Sequence, residues 1–127
     1  MKKYSLQEKY PVWSVSFFKK EISYPDISSI IHFFQKKIEA DSDASFIALF
    51  DHMKHTQALS DGEISPEIKD AKVLVFCFGK KLDNPLQLAV RPRSIGIAET
   101  EDSFVISFLE APNPASHQVM LGWVESF

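Results

Sequence analysis

Chemistry in this chain would have to come from a few short stretches. In Asp51-His52-Met53-Lys54-His55 two imidazoles lie three residues apart with a carboxylate beside them, and residues at that spacing share a face when the segment is helical. Two imidazoles and a carboxylate can ligate a divalent metal, but a zinc site needs a third or fourth ligand at matching spacing. No second ligand pair occurs, so no metal and no cofactor is expected. Two other uses of the cluster stay open. Asp51 can cap a short helix while His52 bonds locally. Alternatively Asp51 and His52 can line a cleft as an acid-base pair, since histidine titrates near neutrality and a carboxylate can orient it. Adjacent strand residues point to opposite faces, so that pair cooperates only where the strand has ended.

Arg91-Pro92-Arg93 is a compact basic spot, and guanidinium groups receive carboxylate or phosphate in a two-pronged geometry. The candidate ligand-binding residues are therefore Asp51, His52, His55, Arg91 and Arg93, and no catalytic residue can be assigned. Cys77 sits between Phe76 and Phe78 in an apolar run, where an inert buried thiol is expected. His32 and His117 complete no nucleophile-base-acid arrangement, and with four glycines in all there is no Gly-x-Ser-x-Gly elbow or phosphate-cradling loop. Glu99-Thr100-Glu101-Asp102 reads as a solvated turn rather than a calcium loop.

The elements that must position these residues are legible from periodicity and punctuation. Trp13, Val15 and Phe17 alternate with Ser14 and Ser16, the period of a half-buried strand. Asp26 can cap a helix running to about residue 40, whose Ile27, Ile30, Ile31, Phe34 and Ile38 form one apolar stripe. Phe46 to Phe50 is a continuous apolar run suited to the interior of a sheet, followed by a short helical turn from Met53 to Leu59 that Ser60-Asp61-Gly62 ends. A loop broken by Pro66 should follow, through about Ala71. Val73 to Phe78 reads as a central strand and stops at Gly79. Asn84-Pro85 and Asn113-Pro114 each place a capping side chain before a proline, opening a short helix and a terminal helix. Ile95 to Ala98 and Phe104 to Leu109 read as an antiparallel hairpin. The expectation is one α+β domain over residues 1–127, two-layered, with a mainly antiparallel sheet and helices packed on one face.

Composition narrows the function classes. The 127 residues are 45% hydrophobic and 24% charged, ordinary for one packed core. A net charge of -3 gives no positive field to collect phosphates, so no nucleic-acid partner is expected. No apolar stretch approaches membrane-spanning length, so no membrane role is expected either. The single cysteine allows no internal disulfide, and the basic N-terminal residues lead into no apolar run of a secretory leader, which points to the cytoplasm. Eleven Phe, three Tyr and two Trp are a heavy aromatic load for this size. Some should lie outside the core, covered by a second copy, with the terminal stretch through Trp123 and Phe127 as first candidate.

From Phe50 onward the signals resemble the bacterial and archaeal domain-of-unknown-function family 302. The resembling residues are Phe50-Asp51-His52, Val73 to Gly79, Asn84 to Ala89 and the hairpin closing at Ala111-Pro112-Asn113-Pro114. The resemblance implies an α+β fold with helices on a mainly antiparallel sheet, often dimeric, and no established activity. The chain departs from it where Lys80-Lys81-Leu82-Asp83 separates Gly79 from Asn84-Pro85, and in a shorter segment after Pro92. Together with the missing catalytic constellation, these features lead to a non-enzymatic small-ligand-binding or protein-interaction module, working as a homodimer. The alternative is a small enzyme using Asp51 and His52.

Overall fold

The computed structural model describes residues 1–127, with nine regular elements in the order β1 Lys2–Leu6, β2 Tyr10–Phe18, α1 Ile27–Ala40, β3 Ala44–Asp51, α2 His52–Ala58, β4 Asp70–Phe78, β5 Arg93–Glu99, β6 Ser103–Leu109 and α3 Pro114–Glu125. Short 3₁₀ turns occupy Lys19–Glu21 and Pro85–Val90. The six strands form one sheet in the order β1-β2-β6-β5-β4-β3, every neighbouring pair antiparallel. The expected α+β architecture is the one observed.

Alternation sets the two faces of the sheet. Leu74 and Phe76 of β4, Ile95 and Ile97 of β5, and Phe104, Ile106 and Phe108 of β6 are buried on one side. There they meet Ile27, Ile30, Ile31, Phe34 and Ile38 of α1 and Met120, Trp123 and Val124 of α3 in a single core cluster. α1 begins where expected: Asp26 accepts from the Ser29 amide at 2.8 Å and Ser29 reciprocates toward the Asp26 amide, a capping box that satisfies donors the first turn leaves free. α3 opens at Asn113, whose side chain accepts from the Ala115 amide at 2.9 Å, with Pro114 in the first turn.

Three sequence expectations change. The polar N-terminus forms β1, a strand of five exposed residues pairing with β2 from Lys2 opposite Ser14 to Leu6 opposite Tyr10. Its Tyr4 and Leu6 share one side with Lys2 and none of its residues is buried, so a stretch this short and polar gives no clear strand period. The apolar run Phe46 to Phe50 belongs to β3, which lies at the sheet edge and not inside it; a bulge between Phe46 and Ala48 leaves Ile47 turned outward. β4 is accordingly next to the edge, and the middle of the sheet is β6 and β5. Cys77, expected to be buried, is only half-buried, because it alternates with Phe76 and Phe78 and points to the side away from the core.

Candidate functional site

The candidate residues separate into two places on the sheet. Asp51 lies opposite Lys72 on β4, whereas Arg93 lies opposite Phe76 on the same strand; four strand residues separate them by roughly 13 Å along the strand, and β4 runs between them. The structure therefore brings Arg91 and Arg93 together at one end and Asp51, His52 and His55 together at the other.

At the first end, Phe78, Gly79, Gln87, Arg91, Arg93 and Ser116 border a cleft of about 210 Å³. Each wall has a local cause. Gly79 leaves β4 with φ 84°, a conformation costly for a residue with a side chain, and its amide donates to the Asp43 carbonyl at 2.7 Å. Asn84 caps the Pro85–Val90 turn through the Leu86 amide at 2.8 Å, returning the chain to Arg91. Arg91 Nη1 donates to the Lys81 carbonyl at 2.7 Å and Arg93 Nη2 to the Leu109 carbonyl at 2.5 Å. Arg93 Nε is buried and has no partner, and burial pulls the Arg93 guanidinium below its ordinary pKa.

At the other end, Asp51 ends β3 and caps α2 by accepting from the Lys54 amide at 3.0 Å. Its second oxygen lies 3.3 Å from Lys72 Nζ, which also contacts Asp70 at 2.7 Å. The Lys54 amide, with help from the Lys72 ammonium and against a smaller effect of burial, holds the Asp51 carboxyl below its usual range. Burial alone would lower the Lys72 ammonium, but its hydrogen bonds to Asp70 and Asp51 outweigh that and leave it raised. His52 Nδ1 is 3.0 Å from the Thr56 hydroxyl, so its hydrogen-bond partner is Thr56 and not Asp51. The His52 and His55 rings pack on Phe50 at 5.2 and 5.3 Å between centroids and stand edge to face with each other at 5.9 Å. This is aromatic packing on a short helix, and no three His, Cys, Asp or Glu side chains are grouped as a metal would require.

Two features escaped sequence reasoning. His117 is buried, with Nδ1 unpartnered and its ring 5.1 Å from Trp13 and 5.9 Å from Phe108; only its place on the inner side of a terminal helix could have signalled this. The other is the face of the sheet that α1 and α3 leave uncovered. Tyr4, Leu6, Tyr10, Phe18, Ile47 and Leu109 stand there between 45% and 58% exposed.

Fold and site together define an α+β domain with a six-stranded antiparallel sheet that is helix-covered on one face. The chain belongs to the Family of unknown function (DUF6858), whose family model matches residues 1–127. That match corrects the resemblance to family 302, which rested on strand ends and Asn-Pro caps. Such caps recur wherever a helix follows a loop, and here Asn84-Pro85 merely opens a 3₁₀ turn. No curated protein and no solved structure matches the chain. No helix is long and apolar enough to cross a membrane.

Proposed function

We propose that the domain is a non-enzymatic interaction module that works as a homodimer, pairing with a second copy through the face of its sheet that α1 and α3 leave uncovered. The observation that supports this is the composition of that face. By alternation, Val12, Ser14, Val75, Cys77, Gly96 and Val105 floor its middle and the large exposed side chains stand around them, while Lys2 is the only charged residue at a strand position on that side. Serines such as Ser14, Ser16, Ser94 and Ser107 lie among them, but monomers rarely leave this many large apolar side chains standing exposed on one face.

A second copy suits the middle of the face better than a charged partner, because charge is confined to its rim, at Lys2 on one side and at Lys80, Lys81 and Arg91 beside Ile47 and Cys77 on the other. Two identical faces with uncharged middles can complement each other about a two-fold axis without a new recognition element. The extent also fits: six strands at strand spacing and about seven residues of length cover roughly 700 Å², close to the ~800 Å² per partner of a stable interface. A cytoplasmic setting accompanies this reading, since the fold is held without any disulfide.

Sedimentation equilibrium tests it. The chain should be dimeric at micromolar concentration, and Ile47→Lys combined with Leu109→Lys should shift it to monomer, because both side chains are already exposed and each copy would bring two ammonium groups into an apolar contact. A monomer at all concentrations would sink the homodimer. A dimer indifferent to both lysines would instead place the contact on another surface.

A further inference from the structure

The cleft between the end of β4, the start of β5 and the N-terminus of α3 has a chemistry of its own, although Arg91 and Gly79 also border the hollow that holds Ile47 and Cys77. We propose that it binds a small oxyanion, a phosphate or carboxylate group, gripped by Arg91 and Arg93.

The first argument is charge without counter-charge. Four ion pairs occur in the molecule, Lys3 with Glu110, Lys19 with Glu99, and Lys72 with both Asp51 and Asp70. All are made by lysines. Neither arginine has a carboxylate partner, and none of the residues bordering the cleft is acidic. A guanidinium drawn partly out of water without an anion is an unfavourable arrangement, and Arg93 is in that position.

The second argument is preorganisation. Each arginine is held by one hydrogen bond to a backbone carbonyl, Arg91 to Lys81 and Arg93 to Leu109. A guanidinium carries five N–H donors, so each arginine keeps donors beyond that one bond, and Arg93 Nε, shielded from solvent, has no acceptor at all. Two side chains fixed by the framework lose little freedom on gripping a ligand, which is where a bidentate pair gains over a mobile lysine. Gly79 is required by its φ of 84° and not by Arg91, since a methyl group there would meet Arg91 Nη2 at an ordinary contact distance of 3.5 Å.

Size and surroundings set the ligand class. A volume of about 210 Å³ falls short of the ~300 Å³ at which pockets for drug-sized molecules begin. It suits an oxyanion on a small body. Gln87, Asn113 and Ser116 offer neutral polar groups around it. The dipole of α3 adds a favourable potential, although Asn113 already occupies the amides of Ala115 and Ser116, so the donors are the arginines and not the helix end. Asp51, His52 and His55 take no part.

Nitrogen-proton correlation NMR can follow the Arg93 Nε–H signal and the amides of Gly79 and Ser116 during titration with inorganic phosphate and, separately, with succinate at constant ionic strength. Saturable shifts confined to these signals are expected, and the tighter of the two anions identifies whether the natural group is a phosphate or a carboxylate. Arg91→Gln should weaken that anion at least ~10-fold, as expected for a lost charge-assisted hydrogen bond. Arg91 is the better variant because the buried Nε belongs to Arg93, and the same spectrum reports whether the variant is folded. Absence of saturable shifts with either anion, or unchanged affinity in folded Arg91→Gln, would overturn the proposal.

Discussion

Trp123 illustrates how a residue's role depends on what the rest of the chain does with it. Near a chain terminus an aromatic looks as if it needs an external cover, yet Trp123 stacks on Phe78 and meets Phe76 edge to face, both at 5.5 Å, and is only 7% exposed. Phe127 is likewise held by its own chain, stacked on Tyr24 at 4.6 Å and in contact with Phe17 and Phe33. The surplus of aromatics expected outside is thus not at the C-terminus. Trp123→Ala should then act on folding, lowering stability by ~3–5 kcal/mol as large-to-small core changes do. Urea denaturation measures this, and a loss below ~1 kcal/mol would mean that the ring does not hold β4 to α3. The candidate residues behave similarly. Asp51 has the chemistry of a catalyst and of a cap; its carboxylate accepts from the Lys54 amide and pairs with Lys72, while His52 bonds to Thr56.

At the level of elements, local signals were readable and long-range ones were not. The start of α1 at Asp26 depends on contacts three residues away, and Asp26→Ala should cost ~1 kcal/mol by leaving first-turn amides without an acceptor. Urea denaturation of this variant, with an unchanged denaturant slope, checks the estimate; no loss of stability would show that water replaces the cap without cost. The stripe of α1, the hairpin of β5 and β6 and the caps at Asn84 and Asn113 were legible for the same reason. Strand order was not, because β2 pairs with β6 across most of the chain and nothing local encodes a partner at that distance. β1 escaped because pairing alone holds it, with every side chain exposed. β3 was misplaced because an apolar run means burial only if something covers it, and a bulge at an edge can turn Ile47 outward instead. For the cleft, the spacing of Arg91 and Arg93 was visible, but Gly79, Gln87 and Ser116 reach it from three other parts of the chain, and their convergence is a property of the fold.

In the whole molecule, the two faces of the sheet do different work. One is filled by α1 and α3, and the other, which the proposed pairing would cover, carries the single thiol. Cys77 lies half-buried on that open face, in a hollow it shares with Ile47, Leu82 and Leu88. Its accessibility therefore reports on whether the face is covered, which a reagent can read without altering the sequence. In an isolated copy a half-buried thiol should react with a maleimide at a measurable rate; once a second sheet lies over it, reaction must wait for dissociation. The expected outcome is a native labelling rate that falls as protein concentration rises through the dimer midpoint. In the Ile47→Lys, Leu109→Lys variant the rate should stay at the dilute value throughout. Fully unfolded chains should label fast and independently of concentration, which calibrates the intrinsic reactivity. A native rate that stays constant from the monomeric to the dimeric range would show that the copies meet elsewhere, leaving this apolar face open to a different partner.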